Sequence, residues 1–178
     1  DPLGVAEQYG TDAVRLALVF GGSTGNDSTI SEEKIRGMRN FANKIWNASR
    51  FVLMSLEDFR FTKKPKLTVP DKKILKNLTN LIKETTILMD SFRFYKASEN
   101  LYHYFWHDFA DKIIEAQKPR LSSNNKNDKR ASQYILLEIL KTALKLLHPF
   151  MPFITEEIYQ QLPLKDKKET IMIEEWPV

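Results

Sequence analysis

Between Ser31 and Leu56 the apolar residues recur at the spacing of an α-helix, and this constrains the fold more than any other feature. At about 100° per residue, Ile35, Met38, Ala42, Ile45, Ser49, Val52 and Leu56 fall on one side. Arg36, Asn40, Asn43, Lys44 and Asn47 fall on the other. A helix of this kind is stable only when its apolar side is covered, so other segments must supply neighbours. Ile74, Leu75, Leu78, Ile82, Leu88, Met89 and Phe92 repeat the spacing. Leu101, Phe105, Trp106, Phe109 and Ile113 do so between Ala97 and Gln117, and a further helix is expected from Ser132 to Leu147. After a Pro149–Pro152 corner, a short helix should reach Leu162. No hairpin signal is present. The fold expected is all-α: an antiparallel helical bundle over residues 31–178, preceded by a short helical module over residues 1–30.

Local signals set the expected boundaries. Asp1-Pro2 opens a helix that Gly10 terminates, and Thr11 caps a second helix, with Asp12 at its positive end. Gly21-Gly22 breaks that helix, and Ser31 caps the long one with Glu32 and Glu33 in its first turn. Arg60 to Pro70, with Lys63, Lys64 and Lys66, reads as a mobile linker before a helix capped by Asp71. Arg93 to Lys96 either breaks the following helical stretch or lets it bend. Pro119 ends the next helix, and Arg120 to Arg130 reads as a loop. The tail from Thr170 to Trp176 alternates weakly, as an extended segment does.

Composition narrows the function classes. Twenty-seven basic residues against 23 acidic ones give a formal charge of +4, which permits a polyanionic partner without requiring one. The absence of cysteine excludes disulfides and thiolate-bound metals. No apolar run reaches a membrane span and no signal peptide opens the chain, so no membrane partner is expected and the chain reads as cytoplasmic. In that setting the sequons at Asn47 and Asn77 carry no information. The opening residues, Asp1-Pro2-Leu3, read as the start of a fragment of something longer.

Candidate chemistry is sparse. Gly21 to Thr29 resembles a phosphate loop only faintly, for it lacks Gly-Lys-Ser/Thr and follows no strand. His103 and His107 are spaced for a metal, yet Tyr104, Phe105 and Trp106 lie between them and no zincin glutamate follows His103. No nucleophile elbow accompanies the serines. We therefore assign no catalytic residue, no metal site and no cofactor to these residues, and function must be argued from a surface. The stripe of Arg36, Asn40, Asn43, Lys44 and Asn47 has two readings. One is the solvated side of any surface helix. The other is an RNA-binding face: asparagines spend helix propensity, and their amides both donate and accept as base edges require. Phe51 lies in the same stripe, where a ring is poor core but good stacking surface for an unpaired base. It also has the alternative of packing on Asp58–Phe61. The basic stretches Lys63–Lys73 and Lys118–Arg130 are solvated loops or a source of phosphate contacts.

Several of these residues carry a family resemblance. Asp1-Pro2-Leu3 followed by Tyr9-Gly10-Thr11-Asp12-Ala13-Val14-Arg15 resembles the segment just after the KMSKS signature of class I aminoacyl-tRNA synthetases. Asn40-Phe41-Ala42-Asn43-Lys44-Ile45-Trp46-Asn47-Ala48-Ser49-Arg50-Phe51-Val52 resembles the valyl-tRNA synthetase pattern. Trp106-His107-Asp108-Phe109, the stretch His148-Pro149-Phe150-Met151-Pro152-Phe153-Ile154-Thr155-Glu156-Glu157 and Glu175-Trp176-Pro177 are similar to the valyl, leucyl and isoleucyl group. Lys112-Ile113-Ile114 departs from the aromatic run usual after Asp111, which assigns Asp111 and Glu115 to packing or local salt bridges.

The resemblance implies a stem-contact module over residues 1–30 and an anticodon-binding bundle over 31–178, partnered by valine-specific tRNA and by the catalytic domain of the same polypeptide, with no DNA. Carried onto this chain, it implies a tRNA-binding face that includes Asn40, on which Asn43, Lys44 and Asn47 meet base edges or backbone and Phe51 stacks on an anticodon base. Arg36, Arg39 and Arg50 would meet phosphates. ATP with magnesium would serve the parent enzyme's catalytic domain, and none of the chemistry would occur in these residues. The rivals are a leucyl or isoleucyl equivalent and a helical protein-interaction module.

Overall fold

The computed structural model describes residues 2–22, 30–60 and 64–178. Among them every regular element is helical. Of the stretch Gly21 to Thr29, with its faint likeness to a phosphate loop, residues 23–29 lie outside the described residues.

Helix α3, Glu32–Ser55, begins where its chemistry dictates. The Ser31 hydroxyl accepts from the Lys34 amide at 3.1 Å, and Glu32 and Glu33 face the positive end. Its buried side holds Ile35, Met38, Phe41, Ile45, Ala48, Ser49 and Val52. Ala42, expected there, is only half-buried, because the bulkier Phe41 takes the core position. The Phe41 ring lies 4.6 Å from Tyr102 and 6.0 Å from Phe105.

Helix α1, Pro2–Tyr9, and helix α2, Thr11–Val19, precede it. Gly10, with φ of 92°, separates them; Thr11 is the first helical residue rather than a cap. The Asp12 carboxylate looks elsewhere. It accepts from the amides of Phe153 and Ile154 at 3.2 and 2.7 Å, the start of helix α8 (Pro152–Gln161). That start has no side-chain cap of its own, so Asp12 supplies one from far away in sequence. Arg15 adds a bond from Nη2 to the Pro149 carbonyl at 3.1 Å.

Helix α4, Val69–Asp90, starts earlier than expected and takes in Pro70. Thr68 is the cap, and Asp71 is the reciprocal member of a capping box. The preceding linker is tied down at Lys66, whose backbone exchanges two bonds with the Asn127 side chain. Helix α4 ends at Ser91, with Phe92 in the left-handed region at φ 58°. Phe92 N donates to Met89 O and Arg93 N to Leu88 O, the paired bonds of a Schellman end. Helix α5, Phe94–His103, then folds back along α4; the break is at 91–93, not 93–96.

From Tyr104 to Ile113 the helix widens to π-helical bonding before α6, Ile114–Leu121. Pro119 does not end α6 but lies inside it. The last turn is retained because Arg120 reaches back to Asp71, with Nη1 to Oδ1 at 2.6 Å and Nη2 to Oδ2 at 3.0 Å. The expected 120–130 loop shrinks to 122–125. The Asn125 side chain accepts from the amides of Asn127 and Asp128, so α7, Lys126–Leu147, starts there. Helix α7 is buried almost all round from Ala131 to Leu147 and packs on α3, α4, α5, α6 and α8. It is the axis of the bundle. A 3₁₀ turn, Ile171–Ile173, replaces the expected extended tail, which the Trp176 indole pins to Thr86 at 2.8 Å. One core runs through all of this, from Tyr9, Ala13 and Leu16 to Tyr159 and Ile171.

Candidate nucleic-acid interface

With its apolar side turned to α7 and α8, α3 presents Arg36, Arg39, Asn40, Asn43, Asn47 and Arg50 outward, all exposed. The side chains of Arg36, Asn40, Asn43, Asn47 and Arg50 make no hydrogen bond or ion pair to any described residue. Arg39 reaches the Gln8 carbonyl at 3.4 Å. Nearby, the Tyr9 hydroxyl donates to the Glu32 carboxylate, which fastens α1 to the start of α3.

Lys44 and Phe51 sit at the edge of this face, against the π-helical segment and α6. Lys44 Nζ is 2.6 Å from Asp111 Oδ1 and 5.6 Å from the centre of the Trp106 ring. His107 Nδ1 lies 3.6 Å from the other Asp111 oxygen. The Lys44 ammonium, with support from His107, holds the Asp111 carboxyl below the usual carboxylate range. In an α-helix Trp106 and Asp111 would diverge by about 140°; bonding from i to i+5 brings them closer to register, so both reach Lys44. The pairing assigned to Asp111 from sequence is present, but its partner is one of the stripe's own cations. Glu115 pairs with Lys118 at 2.6 Å.

Phe51 is not the open ring that the stripe implied. It is half-buried, packs against the core, and has Lys118 Nζ 5.5 Å over its face. Its position near α6, rather than at the centre of the outward side, explains the cover. Trp106 is the aromatic that sequence reasoning missed. Its spacing sets it with the apolar residues Leu101, Phe105, Phe109 and Ile113, and Phe105 and Phe109 are indeed buried. Trp106 is only half-buried, stacked on Phe41 at 6.1 Å and 14°. The exposed His103 and His107, three positions before it and one after, were the available signal. Those two imidazoles stack at 5.6 Å. Among the described residues no three His, Asp or Glu side chains gather as a metal site would require.

The arrangement offers a cation beside a carboxylate over an indole, flanked by free amides and guanidiniums. This combination can stack a planar base, satisfy its donors and acceptors, and neutralise phosphate.

Comparison with known proteins gives the same class. The family model for the anticodon-binding domain of tRNA ligase matches residues 71–178. The valine–tRNA ligase of Carboxydothermus hydrogenoformans is 45% identical across 99% of this chain, and that of Thermotoga maritima is 42% identical across 99%. The chain spans 20% of the length of each, and the likeness includes the α3 face that lies before the matched domain. A Mycobacterium tuberculosis methionyl-tRNA synthetase in its apo form superposes with a TM-score of 0.75 at 23% identity, over 97% of this chain and 37% of that one. The Agrobacterium radiobacter K84 agnB2 LeuRS in a ternary complex with tRNA and LeuAMS superposes at 0.73 and 20% identity, over 99% and 21%. Both structural matches speak for the fold alone.

Proposed function

This chain belongs to the family of anticodon-binding domains of tRNA ligases, and on that premise we propose that it grips the anticodon loop of valine tRNA for a valine–tRNA ligase. The observation that carries the reading is the outward side of α3, where Arg36, Asn40, Asn43, Asn47 and Arg50 are exposed without partners among the described residues. Asn40, Asn43 and Asn47 face base edges, Arg36, Arg39 and Arg50 meet phosphates, and Lys44 supplies a donor beside Asp111. Phe51 stacks on a base once Lys118 moves from its ring. Residues 1–30 act as the stem-contact module, touching the inside of the tRNA and joining the bundle to the catalytic domain of the same polypeptide. That domain activates valine with ATP and magnesium and charges the tRNA in the cytoplasm. The present residues add affinity and discrimination to the reaction and no bond-making step. Among the described residues no helix is long and apolar enough to cross a membrane.

Binding of valine tRNA against the same tRNA carrying a leucine or isoleucine anticodon tests the proposal. Preference for the valine anticodon is expected. Equal affinity for all three transcripts would overturn the anticodon reading.

A further inference from the structure

A second site, a groove, lies on the other side of the π-helical ridge from the α3 face, between α4 and the α5–π segment. Its volume is 560 Å³, inside the range of about 300–1,000 Å³ typical of clefts for small-molecule ligands. Asn77 and Asn80 line it from α4, and Asn100, His103, Tyr104 and Lys112 line it from the ridge. Asn77 and Asn80 are exposed and make no hydrogen bond to any described residue. With Lys73 they form a stripe at i, i+4 and i+7, so α4 repeats the pattern of amides and a cation that marks α3.

The wall of the groove holds a second anomaly. Tyr104 is 9% exposed and its hydroxyl, shielded from solvent, has no hydrogen-bond partner. Burial with Asp108 nearby pushes that phenol well above its ordinary range, so it stays a neutral donor and acceptor. A buried hydroxyl without a partner is costly and uncommon. One negative charge is left over in the lining: Lys112 is paired with Asp108 at 2.7 Å, while Glu84 accepts only from the neutral Asn100 amide at 2.8 Å. A site with several amides, one phenol and little net charge suits a neutral, flat, hydrogen-bonding group better than a phosphate.

We propose that this groove holds an unstacked nucleobase next to the decoding bases in the same RNA loop, its edge read by Asn77 and Asn80. The strand would cross the ridge over the stacked rings of His103 and His107, from the α3 face to the groove. The inference rests on the anticodon-binding reading of α3 and extends its footprint by one nucleotide.

The test uses valine tRNA transcripts, intact and with single abasic positions through the loop. They are titrated against the protein, the Asn77→Ala/Asn80→Ala variant, Tyr104→Phe and Lys44→Ala, with circular dichroism as the check on folding. The double variant should bind intact tRNA about 5- to 30-fold more weakly, the scale of one or two hydrogen bonds. That loss should vanish on one abasic transcript whose gap lies outside the three anticodon positions. Tyr104→Phe should reproduce part of the loss on the same transcript set. Wild-type affinity in the double variant alongside weakened Lys44→Ala overturns the groove and leaves the α3 reading standing. A loss that persists on every abasic transcript, or vanishes only at an anticodon position, also overturns it. Unchanged affinity in both the double variant and Lys44→Ala would sink the anticodon-loop reading itself.

Discussion

Asp71→Ala should be the most damaging single change near the interface without touching it. The carboxylate is fully buried and accepts both guanidinium nitrogens of Arg120, at 2.6 and 3.0 Å, together with the Thr68 amide at 2.9 Å. Burial alone would raise its pKa, but Arg120 and Thr68 win and hold it low. Loss of the cap is worth about 1 kcal/mol. Breaking a buried pair by removing one partner costs about 3–5 kcal/mol. Arg120 keeps 22% of its side-chain surface in solvent, so the abandoned cation is partly rehydrated and the second figure falls to its lower end. The expected loss is therefore about 3–4 kcal/mol in all. Urea unfolding followed by far-ultraviolet circular dichroism reads it, with Arg120→Ala and the double variant completing a cycle. Because the pair fixes α6, which carries Lys118 over Phe51, tRNA affinity should fall even where the variant remains folded. A loss below about 1 kcal/mol, or a coupling energy near zero, would refute the claim that this pair holds the last turn of α6.

Phe51→Ala should weaken tRNA binding by about 1–3 kcal/mol, the scale of one base stack; unchanged affinity in a folded variant removes Phe51 from the site. Lys44→Ala should lower affinity and flatten the dependence of log K on log salt, and an unaltered slope excludes a phosphate contact. Phe92→Gly should raise the melting temperature, since φ of 58° disfavours a side chain by about 1–2 kcal/mol and the ring is 79% exposed. A lower melting temperature would show that the contact with Phe94 outweighs the backbone term. Burial raises the Glu174 pKa, but the Lys145 ammonium at 2.7 Å and the Tyr159 hydroxyl at 2.5 Å prevail and bring it from 4.5 to about 2. A depressed carboxyl stabilises the fold above its unfolded value and loses that contribution as pH falls through the folded one. Stability should decline between about pH 4.5 and about pH 2, and Glu174→Gln should flatten that slope; an identical acid profile would discount the triad.

The bundle was readable where short-range chemistry acts. Ser31 with Glu32 and Glu33 announces the start of α3, and helical spacing reveals α4 and α7. The differences have two sources: a distant partner that decides, and a local cap that lies a few residues from the one expected. Pro119 stays helical because Arg120 answers Asp71, and Pro70 is helical because Thr68, not Asp71, takes the cap. The polar run before Ser132 resembled loop, yet Asn125 caps it and only the first turns of α7 face water. At the interface, the α3 stripe was legible from periodicity alone. The pairing of Lys44 with Asp111 spans 67 residues and depends on π-helical widening that no residue pattern announces. Trp106 was hidden by its buried neighbours Phe105 and Phe109. The amides of Asn77 and Asn80 read as the ordinary outer side of α4, because the Tyr104 hydroxyl opposite them belongs to a helix of its own.

Asp12 finishes α8 by supplying the cap that its own residues lack, and Arg15 clasps the Pro149 carbonyl beside it. The opening helices are thereby stapled to a corner more than a hundred residues downstream. A push delivered to α8 must therefore turn the chain's entry with it, as a crank turns its shaft. Two elements far apart in sequence are thus one unit in space, and a displacement of either is felt by the other.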